Sequence, residues 1–226
     1  MSTLGVIGGM GVKATGRFYE MLTDMQAVKQ EQEYLDVLLY SKPSIPDRTA
    51  FIVGQSAVSP LSSLLHAAEV LEKAGVCCIA MPCVTAHYFY EALTQAAGVP
   101  ILNMLEETAL YASARGYSKV GLLATDGTIR GRLFHKAFAA HGIETIVPDA
   151  GGQAAIMQLI YAIKRGKIEN IDLDDTASGL HDKGAQAVVL GCTELSLPNK
   201  IKSERCINAL EILARAALNV CSAGSG

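Results

Sequence analysis

Met81-Pro82-Cys83-Val84-Thr85-Ala86-His87 follows a short apolar run at residues 76–80 and sits where a buried strand would end. The pattern returns downstream, where Ala187-Val188-Val189-Leu190-Gly191 leads into Cys192-Thr193-Glu194. Gly75 stands eight positions before Cys83, and Gly184 eight before Cys192. Each half also opens on strand, small-residue loop and helix, at 4–11 and again at 120–128. The echo predicts two α/β units about a pseudo-twofold axis. The C-terminal strand ends of both would meet in one cleft, and each would bring one cysteine to it.

Working outward, residues 4–7 read as a buried parallel strand running into Gly8-Gly9-Met10-Gly11. That loop resembles a dinucleotide turn, but Ala14 stands where a third glycine is usual and no acidic residue clearly ends a second strand at the needed distance. A tight turn at a pocket mouth is the better reading. Strands are expected at 35–40, 76–80, 99–102, 119–124 and 145–147, and again before Cys192. Helices are expected at 14–29, 60–74, 86–97, 103–115, 130–141, 153–164, 174–183 and 211–220, with 125–128 a loop and 222–226 frayed. Strand and helix alternate through short Gly/Pro joints. This predicts an α/β fold of two pseudo-symmetric domains, each a parallel sheet flanked by helices. The expected division is 1–103 with 205–226, and 104–204.

Half of the 226 residues are hydrophobic and 18% are charged, which indicates a folded globular chain. A net charge of −3 gives no basic face for nucleic acid. No apolar run approaches the ~20 residues of a membrane helix, and the start lacks a secretory pattern. Of the six cysteines, Cys77 and Cys78 read as core residues, while Cys206 and Cys221 carry no local motif. With no export signal, reduced thiols in a cytoplasm are expected, and the spacings do not resemble a zinc site.

Cys83 and Cys192 differ because small polar residues follow each of them at a strand end. Inverting a carbon centre by proton transfer needs two acid/base groups on opposite faces. A thiol with an ordinary pKa of about 8.5 can serve in either form. The carbanion-like state then needs cations and hydrogen-bond donors at the substrate carboxylate; Thr85, Thr193 and helix-start N–H groups qualify. Arg48, in Ser44-Ile45-Pro46-Asp47-Arg48-Thr49, lies beyond a strand end and suits a carboxylate. Lys164 alone reads as a cation at a helix C-terminus, and His87 as a structural histidine.

Taken together, these stretches resemble the aspartate/glutamate racemase superfamily, and within it the aspartate racemase branch. The resemblance covers nearly the whole chain. It rests on residues 8–11, 44–49, Pro82-Cys83-x-Thr85-Ala86-His87, Pro100-Ile101-Leu102-Asn103-Met104, 121–128 and Gly191-Cys192-Thr193-Glu194-Leu195. It implies a racemase interconverting L- and D-aspartate, with glutamate as a further substrate. It implies no pyridoxal phosphate, other cofactor or metal, and a homodimer. By the same resemblance Cys83 and Cys192 are the acid/base pair, and Arg48 and Lys164 are basic site residues. Met10, Thr85, Thr128, Thr193 and Glu194 match pocket positions. Val84 stands where the family usually has a substrate-binding asparagine, a loss of about 0.5–1.5 kcal/mol for one hydrogen bond. Val12 stands where proline is frequent. Two other readings remain open: a dicarboxylic-acid isomerase or decarboxylase on the same scaffold, and a non-catalytic amino-acid-binding relative.

Overall fold

The computed structural model describes residues 2–167, 173–197 and 205–223. Two parallel sheets organise them. In the first, β1 (Leu4–Gly8) lies between β2 (Val37–Ser41) and β3 (Cys78–Ala80). In the second, β4 (Lys119–Leu123) lies between β5 (Glu144–Ile146) and β6 (Ala187–Leu190), and β7 (Cys206–Asn208) extends the far side. The opening strand of each half is therefore central, with its second strand on one side and its cysteine strand on the other. β1 and β6 are buried throughout, as expected of strands covered on both faces. The edge strand β2 instead leaves Leu38 and Leu39 exposed.

The helices are α1 (Val12–Asp24), α2 (Arg48–Ile52), α3 (Leu61–Lys73), α4 (Tyr90–Ala96) and α5 (Met104–Ala114), then α6 (Asp126–Arg130), α7 (Leu133–Ala140), α8 (Ala150–Lys164), α9 (Asp174–Asp182) and α10 (Ala209–Ala223). Their buried positions follow the helical period: Ala14, Phe18, Met21 and Leu22 in α1, and Leu64, Ala67, Ala68 and Leu71 in α3. None of the described helices is long and apolar enough to cross a membrane.

The echo extends to details. Gly75 (φ +82°) and Gly184 (φ +91°) both take the left-handed conformation between a helix and a cysteine strand, where a Cβ would be strained. Ile101 bridges Ile79 in parallel, as Ile207 pairs with Val189 in β7. Asn103 then caps α5 by accepting from the Leu105 and Glu106 N–H groups. Asn208 accepts from Leu210 and Glu211 in the same way at the start of α10. The two helices pack on each other and cross over, with α5 against α7 and α10 against α1 and β3.

Several local expectations change. The segment after Cys83 is a 3₁₀ turn (Val84–Phe89) before α4, not one helix over 86–97. The strand expected at 99–102 is reduced to the single Ile101 bridge. The loop expected at 125–128 is Thr125 capping α6, its hydroxyl accepting from the Thr128 N–H at 3.3 Å. Helix α1 stops at Asp24, and Ser222 and Ala223 belong to α10; 224–226 lie outside the described residues. Strand β7 was not anticipated: three residues cannot show a period.

Candidate active site

The C-terminal ends of β3 and β6 deliver the two thiols in matching ways. Cys83 is extended (φ −154°, ψ 109°) at the head of the 3₁₀ turn Val84–Phe89. Cys192 is extended (φ −136°, ψ 129°) at the head of the turn Thr193–Ser196. His87 fixes the first turn. The Met104 N–H donates to its Nε2 (3.2 Å), so Nδ1 carries the proton and donates to the Cys83 carbonyl (3.0 Å). Burial pushes the His87 pKa down and keeps the ring neutral. Its folded pKa is depressed, so its contribution to stability is present above the unfolded value of about 6.5 and is lost as pH falls from there toward the folded value. Chemical denaturation from pH 7.5 to 5 is expected to show this loss, and His87→Gln to flatten it. An unchanged slope in the variant would contradict the role.

The thiols have different surroundings. Cys83 is 4% exposed, with its Sγ 3.5 Å from Thr85 Oγ1. Cys192 is 6% exposed and donates to Glu194 Oε2 at 3.0 Å, the oxygen that Thr193 Oγ1 reaches at 3.4 Å. Burial, then the negative charge of Glu194, push the Cys192 thiol well up, against the opposing pull of Lys164. Burial also works against the Lys164 charge. The negative charge of Glu194, and of Cys192 and Cys83 whenever either is a thiolate, outweighs it and holds the ammonium above its usual range. Lys164 Nζ lies 4.0 Å from Glu194 Oε1 and 5.2 Å from the Tyr161 ring. One cation therefore feels both thiols, one from each sheet.

A cleft of about 600 Å³ opens beside them, lined by Gly9 and Gly11 after β1, by Arg48 at the start of α2, and by Lys164 and Glu194 from the other half. A Cβ on Gly11 would meet Glu194 Oε1, so a larger residue there would displace the carboxylate. Arg48, 7% exposed, is held by the carbonyls of Ile45 (3.1 Å), Pro46 (2.9 Å) and Met10 (3.3 Å).

Of the residues expected at the site, Arg48, Lys164 and Glu194 line this cleft, whereas Cys83 and Cys192 are not among its lining residues. Met10 contributes its carbonyl to Arg48, while its side chain is in the core of the first half. Val84 packs in the main core cluster with Leu122 and Phe134. Thr128 is fully buried against Thr125, with 3.2 Å between hydroxyl oxygens. Sequence reasoning missed Lys13 and Arg165, which also line the cleft, and Tyr161, whose hydroxyl lies 3.5 Å from Asp47 Oδ2. Tyr161 falls one helical turn before Lys164, a spacing that could have flagged it.

The sequence profile of the Asp/Glu/hydantoin racemase family matches residues 7–217. The chain belongs to that family. It is 32% identical over 166 residues to the broad specificity amino-acid racemase RacX of Bacillus subtilis (strain 168), a match spanning 72% of this chain and 71% of that relative. Among solved structures it superposes on the aspartate racemase of Picrophilus torridus with a TM-score of 0.87 and 28% identity, covering 98% of this chain and 95% of the other. An aspartate racemase homologue from Pyrococcus horikoshii OT3 gives 0.79 and 26%, covering 98% and 100%. Both the two-sheet architecture and the enzyme class expected from the sequence, an amino-acid racemase, are those of this family.

Proposed function

We propose that the protein racemises a small acidic amino acid, with aspartate first and glutamate second, by proton transfer at Cα between Cys83 and Cys192. One observation carries this reading: two buried side-chain atoms at the cleft lack a hydrogen-bond partner, and they are Arg48 Nε and Glu194 Oε1. A cationic donor and a carboxylate acceptor are the complement of a zwitterion, the first for a carboxylate and the second for an ammonium group. Among the described residues that line the cleft, Lys13, Arg48, Lys164 and Arg165 stand against Asp47 and Glu194, a surplus of positive charge that favours a substrate with a second carboxylate.

The thiols lie behind the present lining. Substrate reaches them when Glu194 exchanges its bond from Cys192 for one to the substrate ammonium. Glu194 then has two tasks: it keeps Cys192 protonated in the resting enzyme, as the acid, and it releases that thiol when substrate arrives. Lys164 offsets the charge of whichever cysteine is thiolate. This scheme uses no pyridoxal phosphate or metal, and it fits a cytoplasmic enzyme, where thiols stay reduced. We also infer a homodimer through the β2 edge, where Leu38 and Leu39 are exposed, and a division of 1–103 with 205–226 against 104–204, with β7 reaching back to pair with β6 of the second sheet.

The test is a chiral assay of purified enzyme, with chelator present, across aspartate, glutamate and neutral amino acids. Fastest turnover of acidic substrates is expected; preference for neutral ones, or binding with no racemisation, would overturn the reading. Glu194→Gln provides a second check. Removing the charge lowers the Cys192 pKa, and each unit gives about tenfold more thiolate at a pH below it. Alkylation of Cys192 at pH 8 is therefore expected to accelerate, by peptide mapping after a timed pulse. An unchanged rate would show that Glu194 does not hold the thiol.

A further inference from the structure

At the other end of β3 from Cys83, three cysteines converge. Cys77 and Cys78 enter the strand, and Cys221 comes from the last helix, α10. Their sulfurs are mutually 3.6 Å (Cys77–Cys221), 3.7 Å (Cys78–Cys221) and 3.8 Å (Cys77–Cys78) apart. We propose that Cys77, Cys78 and Cys221 form a binding site for one thiophilic metal ion, a cuprous ion held by three sulfurs.

Consecutive side chains of a strand point to opposite faces, yet these two point to one spot, because Cys77 precedes the paired residues of β3. A triangle with these sides has its centre about 2.1 Å from each corner (the mean side, 3.7 Å, divided by √3). Metal–thiolate bonds of about 2.3 Å would need the ion only ~0.8 Å out of that plane, or the sulfurs ~0.3 Å further apart. Among the described residues no fourth His, Cys, Asp or Glu joins the group. That disfavours a closed four-coordinate zinc site and suits a soft monovalent ion. Cys78 and Cys221 are buried, and half-buried Cys77 leaves a way in.

A cuprous ion held by all three sulfurs as thiolates displaces the protons they carry to solvent, with no change of oxidation state. The ion would clamp α10 to the start of β3, five residues before Cys83 and at most ~17 Å of extended chain from it, so occupancy should raise stability without being required for racemisation.

The experiment is an anaerobic titration of the reduced protein with cuprous ion against a chromophoric cuprous chelator, read by thiolate-to-copper charge transfer in the near ultraviolet and by Tm. One ion per chain and a higher Tm are expected. Cys221→Ser and Cys78→Ser should weaken binding more than about 100-fold, beyond the usual cost of losing an outer-shell partner; the Cys83→Ala/Cys192→Ala double variant should keep the ion. Cys77→Ser, at the half-buried position, carries the same expectation should a buried replacement fail to fold by circular dichroism. The proposal is overturned if the chelator keeps the copper, if Cys221→Ser or Cys77→Ser binds as wild type, if the double variant loses the ion, or if zinc binds in preference. A disulfide formed in air by a protein that takes up no copper when reduced would likewise overturn it.

Discussion

Cys83→Ala and Cys192→Ala are each expected to lower kcat/KM for racemisation by about 10²–10⁴-fold, the usual contribution of a positioned acid or base. The loss should appear in both directions, because the thiol that accepts a proton from one enantiomer must donate one to the other. The two variants should still differ in what remains. With Cys83 intact and Cys192 gone, the enantiomer whose hydrogen faces Cys83 can still be deprotonated, and only the return from the far face fails. That variant should exchange the Cα hydrogen of one enantiomer with solvent while forming little of the other, and its partner should do so for the opposite enantiomer. Both replacements remove one sulfur from a buried site, so a modest fall in stability of about 1 kcal/mol is expected, and Tm beside kcat/KM separates the effects. Near wild-type turnover in either variant would remove the two-thiol scheme, whatever the family.

Arg48→Ala is expected to raise KM for acidic substrates by about 10- to 100-fold, the equivalent of one charge-assisted hydrogen bond of roughly 1.5–3 kcal/mol. The guanidinium is held in place by three backbone carbonyls, so it is oriented before substrate arrives, and its unpartnered Nε is the group still free to bind. Removing it leaves the carbonyls of Ile45, Pro46 and Met10 short of a donor, which costs stability as well as affinity. Arg48→Lys should not restore function, because one compact ammonium cannot satisfy three carbonyls and still reach a carboxylate. The informative readout is discrimination: neutral amino acids should lose much less than aspartate. An equal loss across all substrates would assign Arg48 to the α-carboxylate instead, and no loss would remove it from the site.

What could be read in advance divides along physical lines. The alternation of apolar strands with periodic helices fixed the two-sheet plan, and the glycines at 75 and 184 marked equivalent joints because both need a left-handed backbone. The cysteines could be picked out because small polar residues follow them at strand ends. Harder to read was anything decided by packing between distant segments. Val84 sits in a polar-looking motif, yet its side chain is buried in the main core cluster. The carbonyl of Met10, not its side chain, meets Arg48. Glu194 was legible as a site residue, but not as the group that bonds the Cys192 thiol. Cys221 carried no signal, since its two sulfur neighbours lie about 144 positions away.

The central claim concerns which atoms the Cα hydrogen visits, and hydrogen isotopes report that directly. L-aspartate is incubated with the enzyme in deuterium oxide, stopped at low conversion, and both enantiomers are recovered and analysed by mass. Transfer between two thiols predicts D-aspartate carrying deuterium at Cα while the remaining L-aspartate keeps its protium. D-aspartate that retains the original protium would mean that a single group carries the hydrogen across both faces, and would contradict the account.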